Sequence, residues 1–402
     1  MRMSKKKEIV PKFRFPEFQR DGIDFVHGNK LFKSITNKNH NSDLPILAIT
    51  QDQGAVPRDQ IEYNVTVTDK SLSNYKVVEV GDFIISLRSF QGGIEYSRFK
   101  GICSPAYIIL RKREENISEL YYKYFFKTWR YIQSLNRNLE GIRDGKMISY
   151  SQFSSVKVPY PRSFKEQQKI ADCLSSIDEL IDAENRKLKA LEKYKKGLMQ
   201  KLFPAEGKTL PEWRFPEFRG KSEWRIKPLG KICTNYDSRR IPITEKDRVK
   251  GEIPYIGASG VIDYINDFIF DEDLLCVSED GANLVARTYP IAFSISEKTW
   301  VNNHAHVLKF SHKYTQDIVE SYLNMINLQD FLTGMAQPKL NRAKLDIIPI
   351  PLPEEEEQQK IAGRLSDVDT MITEQSNKVE QLKAHKKGLM QGLFPSLEEA
   401  DV

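Results

Sequence analysis

No run in this 402-residue chain approaches the roughly 18 consecutive apolar residues of a membrane span, so nothing in it reads as a transmembrane helix. Cysteine is scarce. Cys103, Cys173, Cys233 and Cys276 lie far apart with no Cys-x-x-Cys among them, which excludes a zinc ribbon and argues against a disulfide framework; they read as plain reduced thiols. The opening MRMSKKKEIV is basic but runs into Pro11, Lys12 and Arg14, where a secretory signal needs an unbroken apolar stretch. A cytoplasmic location is therefore the expectation. Nor is there a strong excess of one charge: 61 Lys plus Arg against 55 Asp plus Glu leaves +6, which suits a polyanionic partner without requiring one. What is present is the composition of a globular protein, 40% hydrophobic and 29% charged with mean hydropathy −0.51. At roughly 100 to 200 residues per domain, the length allows two to four domains.

Catalytic constellations are missing as well. A phosphate-binding P-loop needs glycine five positions before Gly-Lys-Ser/Thr, but Gly207-Lys208-Thr209 and Gly220-Lys221-Ser222 have Leu202 and Phe215 there. No glycine-rich turn after a strand suggests a nucleotide or methyl-donor cofactor, and the Asn-Pro-Pro of amino-methyltransferases does not occur. His304 and His306 stand two apart on an expected strand, yet no Cys, Asp or Glu follows at metal-ligand spacing. The acidic groups Asp271 to Asp273 and Glu279-Asp280 lack the adjacent lysine or histidine of a magnesium nuclease and read as turn and loop residues. The run Glu354 to Glu357 opens an expected helix, where negative charge offsets the positive end of the helix dipole; it reads as capping and solvation.

The chain repeats itself. EQQKIADCLSSIDELIDAENRKLKALEKYKKGLMQKLFP, Glu166 to Pro204, returns without a gap as EQQKIAGRLSDVDTMITEQSNKVEQLKAHKKGLMQGLFP, Glu357 to Pro395, with roughly half the positions identical. A shorter echo precedes each half: PKFRFPEF from Pro11 and PEWRFPEF from Pro211. Ile170, Leu174, Ile177, Ile181, Leu188, Leu191, Leu198 and Leu202 fall in steps of three and four, a heptad stripe, and so do Ile361, Leu365, Val368, Ile372, Val379, Leu382, Leu389 and Leu393. Glu184 and Gln375 interrupt the stripes at one equivalent place, Lys195 and Lys386 at another. Polar seam residues specify register, which suits two helices that pair with each other, although independent helices on separate domains fit the pattern too. Each helix is expected to stop at Leu-Phe-Pro, because proline cannot continue the turn.

The blocks between read as mixed α/β. Strand-like stretches Asp82 to Leu87, Tyr107 to Leu110, Leu274 to Val277 and His306 to Phe310 are bounded by Gly, Pro, Asn and Ser. Each block carries one helical stretch, near Glu119 to Leu135 and Thr315 to Leu332, and leaves through a Pro-x-Pro exit, Pro159 to Pro161 and Pro351 to Pro353. The order is tag, variable block, helix, twice over. We place an N-terminal segment at 1–20, a first block at 21–155, the central helix at 156–205, a linker at 206–222, a second block at 223–349, the distal helix at 350–396 and a tail at 397–402.

These residues give the chain a resemblance, along nearly its whole length, to the DNA-specificity subunit of type I restriction-modification systems. It rests on the duplicated EQQKIA helices ending in GLMQKLFP and GLMQGLFP, the RFPEF tags and the exits VPYP and IPLP. Within the blocks it rests on GDFIISLRSFQGG, GICSPAYIIL, IPYIGASGVIDY, SEDGANLV and WVNNHAHVL. The resemblance implies an α+β fold of two similar target-recognition domains joined by two long helices pairing as an antiparallel coiled coil, related by a pseudo-twofold. It also implies that each domain reads one half of a split, asymmetric double-stranded DNA site. No catalytic centre is expected in this chain; two methyltransferase subunits dock on it to methylate adenine, and a motor-nuclease subunit joins for restriction. S-adenosylmethionine, ATP and magnesium are expected in those partners. A non-enzymatic coiled-coil scaffold whose two blocks bind proteins or ligands explains the repeat but not the block segments.

On that reading the candidate DNA contacts are polar loop residues able to meet base edges or phosphates. In the first block they are Gln51, Gln53 and Arg58, then Arg88, Ser89 and Gln91 on a Gly-containing loop after a strand, then Arg143 and Lys146. In the second they are Glu279, Asp280 and Asn283 on the corresponding loop, then Ser259, Lys298, Asn302, Asn303 and His304, and Gln337, Lys339 and Asn341.

Overall fold

The heptad stripes fold as two helices of 39 residues each, Phe164–Leu202 and Glu355–Leu393, about 58 Å long at 1.5 Å per residue. The computed structural model describes residues 10–41, 43–61, 72–137, 148–334 and 337–395. The chain divides into two compact units. Unit 1 holds the residues up to Glu184 and those from Lys378 onward; unit 2 is Asn185–Asn377. Each unit thus contains the start of one long helix and the end of the other. In unit 1, Lys386 bonds Asp178 (2.5 Å) and Lys378 bonds Glu184 (2.6 Å); in unit 2, Lys195 bonds Asp369 (2.5 Å) and Arg364 bonds Tyr194 (2.9 Å). In unit 1 the partner numbers fall from 386 to 378 as those on the first helix rise from 178 to 184, and in unit 2 the end of the first helix, Leu202, shares a core with the start of the second, Ile361 and Leu365, so the pairing in both units is antiparallel.

The stripes face inward as the spacing predicts. Ile170, Leu174, Ile181, Leu202, Ile361, Leu365, Val368, Val379 and Leu393 are buried, and Ile177, Leu188, Leu191, Leu198, Ile372, Leu382 and Leu389 are half-buried. The polar interruptions are bridged rather than left dry: Glu184, Lys195 and Lys386 each reach an oppositely charged residue on the other helix.

In unit 1, strands β1 (Ile23–His27), β2 (Phe32–Ile35), β3 (Leu47–Thr50), β4 (Gly54–Pro57), β5 (Lys76–Val78), β6 (Phe83–Ile85), β7 (Glu95–Tyr96), β8 (Gly101–Cys103), β9 (Ile108–Lys112) and β10 (Lys157–Pro161) form one four-stranded sheet, β2-β9-β6-β7, and three pairs, β1-β10, β3-β4 and β5-β8. In unit 2, strands β11 (Arg225–Pro228), β12 (Thr234–Asn235), β13 (Lys250–Gly257), β14 (Gly260–Ile265), β15 (Leu274–Ser278), β16 (Ala292–Ile295), β17 (Trp300–Val301), β18 (Ala305–Lys309) and β19 (Pro349–Leu352) form the sheet β12-β18-β15-β16, a second sheet β14-β13-β17 and the pair β11-β19. Reading each four-stranded sheet in order of the chain gives first, fourth, second, third in both units. The Pro-x-Pro exits are themselves strands, each pairing antiparallel with the first strand of its block.

Two expectations are corrected. The single helix near Glu119 to Leu135 is two, Glu119–Phe125 and Trp129–Arg137, because Phe126 to Thr128 turn away, with the Thr128 hydroxyl donating to Phe125 O (2.8 Å). The turn abuts Gly93 (φ 81°), where a Cβ would stand 2.2 Å from Phe126 O. In the second block the helix is Lys313–Met325, and the rest of the stretch is loop with a short turn at Gln329–Phe331.

The tags explain why they repeat. Arg14 makes a two-pronged ion pair with Glu166 (2.7 and 2.9 Å), and Arg214 does the same with Glu357 (2.8 and 2.6 Å). Glu17 bonds Lys169 and Glu217 bonds Lys360, while those lysines lie over the Phe15 and Phe215 rings. The same tags also close on the far helix ends, Phe13 N–H donating to Gly392 O (2.8 Å) and Trp213 N–H to Lys201 O (2.9 Å). Glu357 is therefore no solvated capping charge: it is 1% exposed, and its burial is compensated by the bidentate guanidinium.

Candidate nucleic-acid interface

Strand β6 lies in the middle of its sheet and is fully buried, so its end delivers the following residues to a defined place. The Ser86 N–H donates to Ser89 Oγ (2.9 Å), and the chain turns into a one-turn helix, Ser89–Gly92. This leaves Arg88 and Gln91 exposed and Ser89 buried inside the turn. The β3–β4 hairpin lies against it. Gln51 Nε2 donates to Arg88 O (3.3 Å), and a Cβ on Gly92 would meet the Gln51 side chain at 2.8 Å. Gln51 and Gln53 are exposed beside Arg88 and Gln91, so these four candidates form one polar surface. Arg58 is half-buried after the hairpin, its N–H donating to Ile46 O (2.9 Å). Arg143 and Lys146 fall outside the described residues.

Unit 2 builds its surface from the corresponding strand. After β15, Glu279 N–H donates to His304 O (2.9 Å), Gly281 turns at φ 111° with its N–H on Pro338 O (3.2 Å), and Leu340 N–H returns to Glu279 O (2.8 Å). A one-turn helix, Asn283–Ala286, follows as in unit 1. The loops at 279–283, 302–304 and 337–341 are thereby brought together. Ser259, in the β13–β14 turn, joins them through Ser278 Oγ, which donates to the neighbouring Ala258 O (2.5 Å). Lys298 does not: it lies over the Phe268 ring at 4.7 Å.

Several candidates hold the loops rather than face outward. Asn283 is 8% exposed; its Oδ1 accepts from Thr288 N and Oγ1 (2.9 and 3.0 Å) and its Nδ2 donates to Tyr289 O (2.9 Å). Asn302 is buried and accepts from His304 N (2.8 Å), and Asn341 caps the helix Arg342–Asp346 through Lys344 N (3.0 Å). Asn303, His304, Gln337 and Lys339 are exposed. Asp280 is paired with His304 Nδ1 (2.8 Å), and Glu279 with Arg240 (2.8 Å) and Lys339 (3.2 Å).

Sequence reasoning missed the cations beneath these surfaces. In unit 1, Lys127 Nζ donates to Gln51 O (3.1 Å), Gly92 O (2.9 Å) and the Glu95 carboxylate. In unit 2, Arg240 reaches Glu279, Ala305 O (2.8 Å) and Asn303 O (3.4 Å), with Asp237 behind it (3.5 Å). His306, two residues on from His304, is 1% exposed and bonds Asp237 (2.6 Å) and Leu340 O (2.7 Å). Burial pushes the Glu95 carboxyl up to about 7, only partly offset by Lys127, and burial likewise lowers the Lys127 ammonium. Burial also works against ionised Glu279, but Arg240, His306 and Lys339 prevail and hold it below the usual carboxylate range. Among the described residues no group of three His, Cys, Asp or Glu stands close enough to hold a metal, and no helix is long and apolar enough to cross a membrane.

Each unit is thus one copy of a repeated α+β scaffold that presents a polar loop cluster and contains the start of one long helix and the end of the other. The family described as type I restriction modification DNA specificity domain matches residues 21–193 and again 221–384, and the chain belongs to that family. A putative type I restriction enzyme specificity subunit of Haemophilus influenzae is 33% identical over 153 residues, 38% of this chain but only 39% of that relative. The MjaVIII specificity subunit of Methanocaldococcus jannaschii is 25% identical over 351 residues, 81% of this chain and 80% of its own. Among solved structures, the S subunit of a type I restriction-modification system from M. genitalium matches 96% of this chain and 99% of its own with a TM-score of 0.59 at 15% identity, a likeness of fold.

Proposed function

We propose that this chain is the sequence-reading subunit of a type I restriction-modification complex, each unit reading one half of a split double-stranded DNA site. The observation that carries the reading is the exposed polar cluster repeated at the end of equivalent strands, Arg88 and Gln91 with Gln51 after β6, and His304 with Gln337 and Lys339 beside the end of β15. Guanidinium and carboxamide groups of this kind pair bidentately with guanine and adenine edges in the major groove. The long helices set the distance between half-sites and carry two methyltransferase subunits, with a motor-nuclease subunit joining for cleavage. Methyl donor, ATP and magnesium belong to those partners, the complex works in the cytoplasm, and the chain alone neither methylates nor cuts.

The test is a block exchange read by sequencing methylated adenines. Replacing residues 223 to 349 with the block of a relative should change one half of the methylated motif and leave the other intact; a change in both halves would overturn modular reading. A four-residue insertion after Gln200 adds about 6 Å of helix and should lengthen the unread gap by about one or two base pairs. An active complex with the original gap would show that the helices are not the spacer.

A further inference from the structure

We infer that Lys127 and Arg240 are the positioning residues of the two half-site readers, each gathering separate loops of its own unit onto one half-buried cation. The inference rests on the reading that these loops meet DNA. Lys127 lies in the break between two helices, a place no sheet or stripe dictates, yet its ammonium joins three segments: the hairpin at Gln51 O, the one-turn helix at Gly92 O and strand β7 through Glu95. The ammonium is a half-buried donor with three protein acceptors, so its hydrogen-bonding capacity is spent on the loops. Arg240 does equivalent work with different geometry. Its fork holds Glu279 at the end of β15 and the carbonyls of Asn303 and Ala305 entering β18, and its own strand-side neighbour Asp237 fixes the fork from behind. With side chains largely removed from solvent, 26% exposed for Lys127 and 12% for Arg240, neither is a free phosphate contact. Each instead fixes where the exposed groups of its loops stand, and a displacement of a fraction of an ångström separates a bidentate base contact from none.

The test uses the full chain and duplexes carrying the split site found by methylome sequencing of its complex. Binding is measured to the cognate duplex, to duplexes with one base changed in either half, and to a random duplex. For Lys127→Met we expect discrimination in one half to fall about tenfold or more while the other half and random-duplex binding stay as in the wild type; Arg240→Met should do the reciprocal. Lys127→Arg and Arg240→Lys, which keep the charge and donors, should recover part of the lost discrimination. A variant that melts early is replaced by Lys127→Gln or Arg240→Gln, judged by the same ratio. Equal loss in both halves, or unchanged ratios in folded variants, would overturn the inference while the modular reading stands. A wild-type chain that prefers no split site would instead overturn the reading itself.

Discussion

In unit 1 the loops converge on an ammonium paired with Glu95, an acid whose burial works against its ionisation; in unit 2 they converge on a guanidinium inside a chain of charges running Asp237, Arg240, Glu279, Lys339. The surroundings differ in kind as well. Unit 1 is packed around aromatic rings, Phe32, Phe83, Tyr122, Phe126 and Phe153 in mutual contact, whereas the unit 2 core is mostly aliphatic around Leu275, Val277, Leu308 and Ile318. The locks to the helices, by contrast, are the same in both: Arg14 to Glu166 and Arg214 to Glu357, each beside a glutamine, Gln167 or Gln358, that bonds the exit strand or the residue after it. A frame that must meet the same helix twice keeps its chemistry, while the loops are held by whatever cation the local sheet can bury.

The largest test of that contrast is the frame. Arg14→Ala and Arg214→Ala each leave a buried glutamate without its partner, and each should cost about 3 to 5 kcal/mol in denaturant unfolding. Clearly unequal costs would break the equivalence of the two locks. Next comes the place where the frames differ, Gly392 against Phe13 in unit 1 and Lys201 against Trp213 in unit 2. A Cβ at Gly392 would stand 2.1 Å from the Phe13 ring, whereas the equivalent Lys201 already accommodates Trp213. Gly392→Ala should therefore cost about 1 to 3 kcal/mol and Lys201→Ala no more than about 0.5 kcal/mol, read by the same unfolding curves.

A smaller effect separates the clusters by pH. An acid whose folded pKa is raised contributes stability that is complete below its unfolded value and is lost as pH rises through the folded one, so Glu95 should favour the fold at pH 5 over pH 8. The melting temperature of the wild type minus that of Glu95→Gln should fall across that range by an amount on the order of 3 °C. Glu279, held low, gives the opposite sign and only at acid pH, so the same difference taken with Glu279→Gln should stay flat between pH 5 and 8. Smallest are Gly363→Ala and Gly388→Ala, where a Cβ meets nothing within 4 Å; each should stabilise its helix by about 0.5 to 1 kcal/mol in thermal melts.

The helices were legible because periodicity of three and four has one structural solution, and Ile170, Leu174, Ile361 and Leu365 all point inward as the spacing requires. Strand cores such as Leu274 to Val277 were legible by a different signal, as short apolar runs between turn residues. The loops were found but their members were not sorted. Asn283, Asn302 and Ser89 look like base readers by residue type, yet each is absorbed by neighbouring backbone groups, because Asn and Ser close turns as readily as they meet a ligand. Lys127 and Arg240 carried no signal, since their partners are largely carbonyl oxygens, which every residue possesses.

Thus the sequence by itself determined the double plan, the helix faces and the family, because repeats, heptads and strings are local patterns that need no third dimension. Only tertiary structure decided that the tags from Pro11 and Pro211 are clamps on both a helix start and a helix end, that Glu357 is buried rather than solvated, and that one cation in each unit draws its loops together. Those pairings join residues such as Arg14 and Glu166, or Lys127 and Gln51, that are far apart in the chain. Their geometry exists only once burial has removed the water that would otherwise satisfy each charge alone.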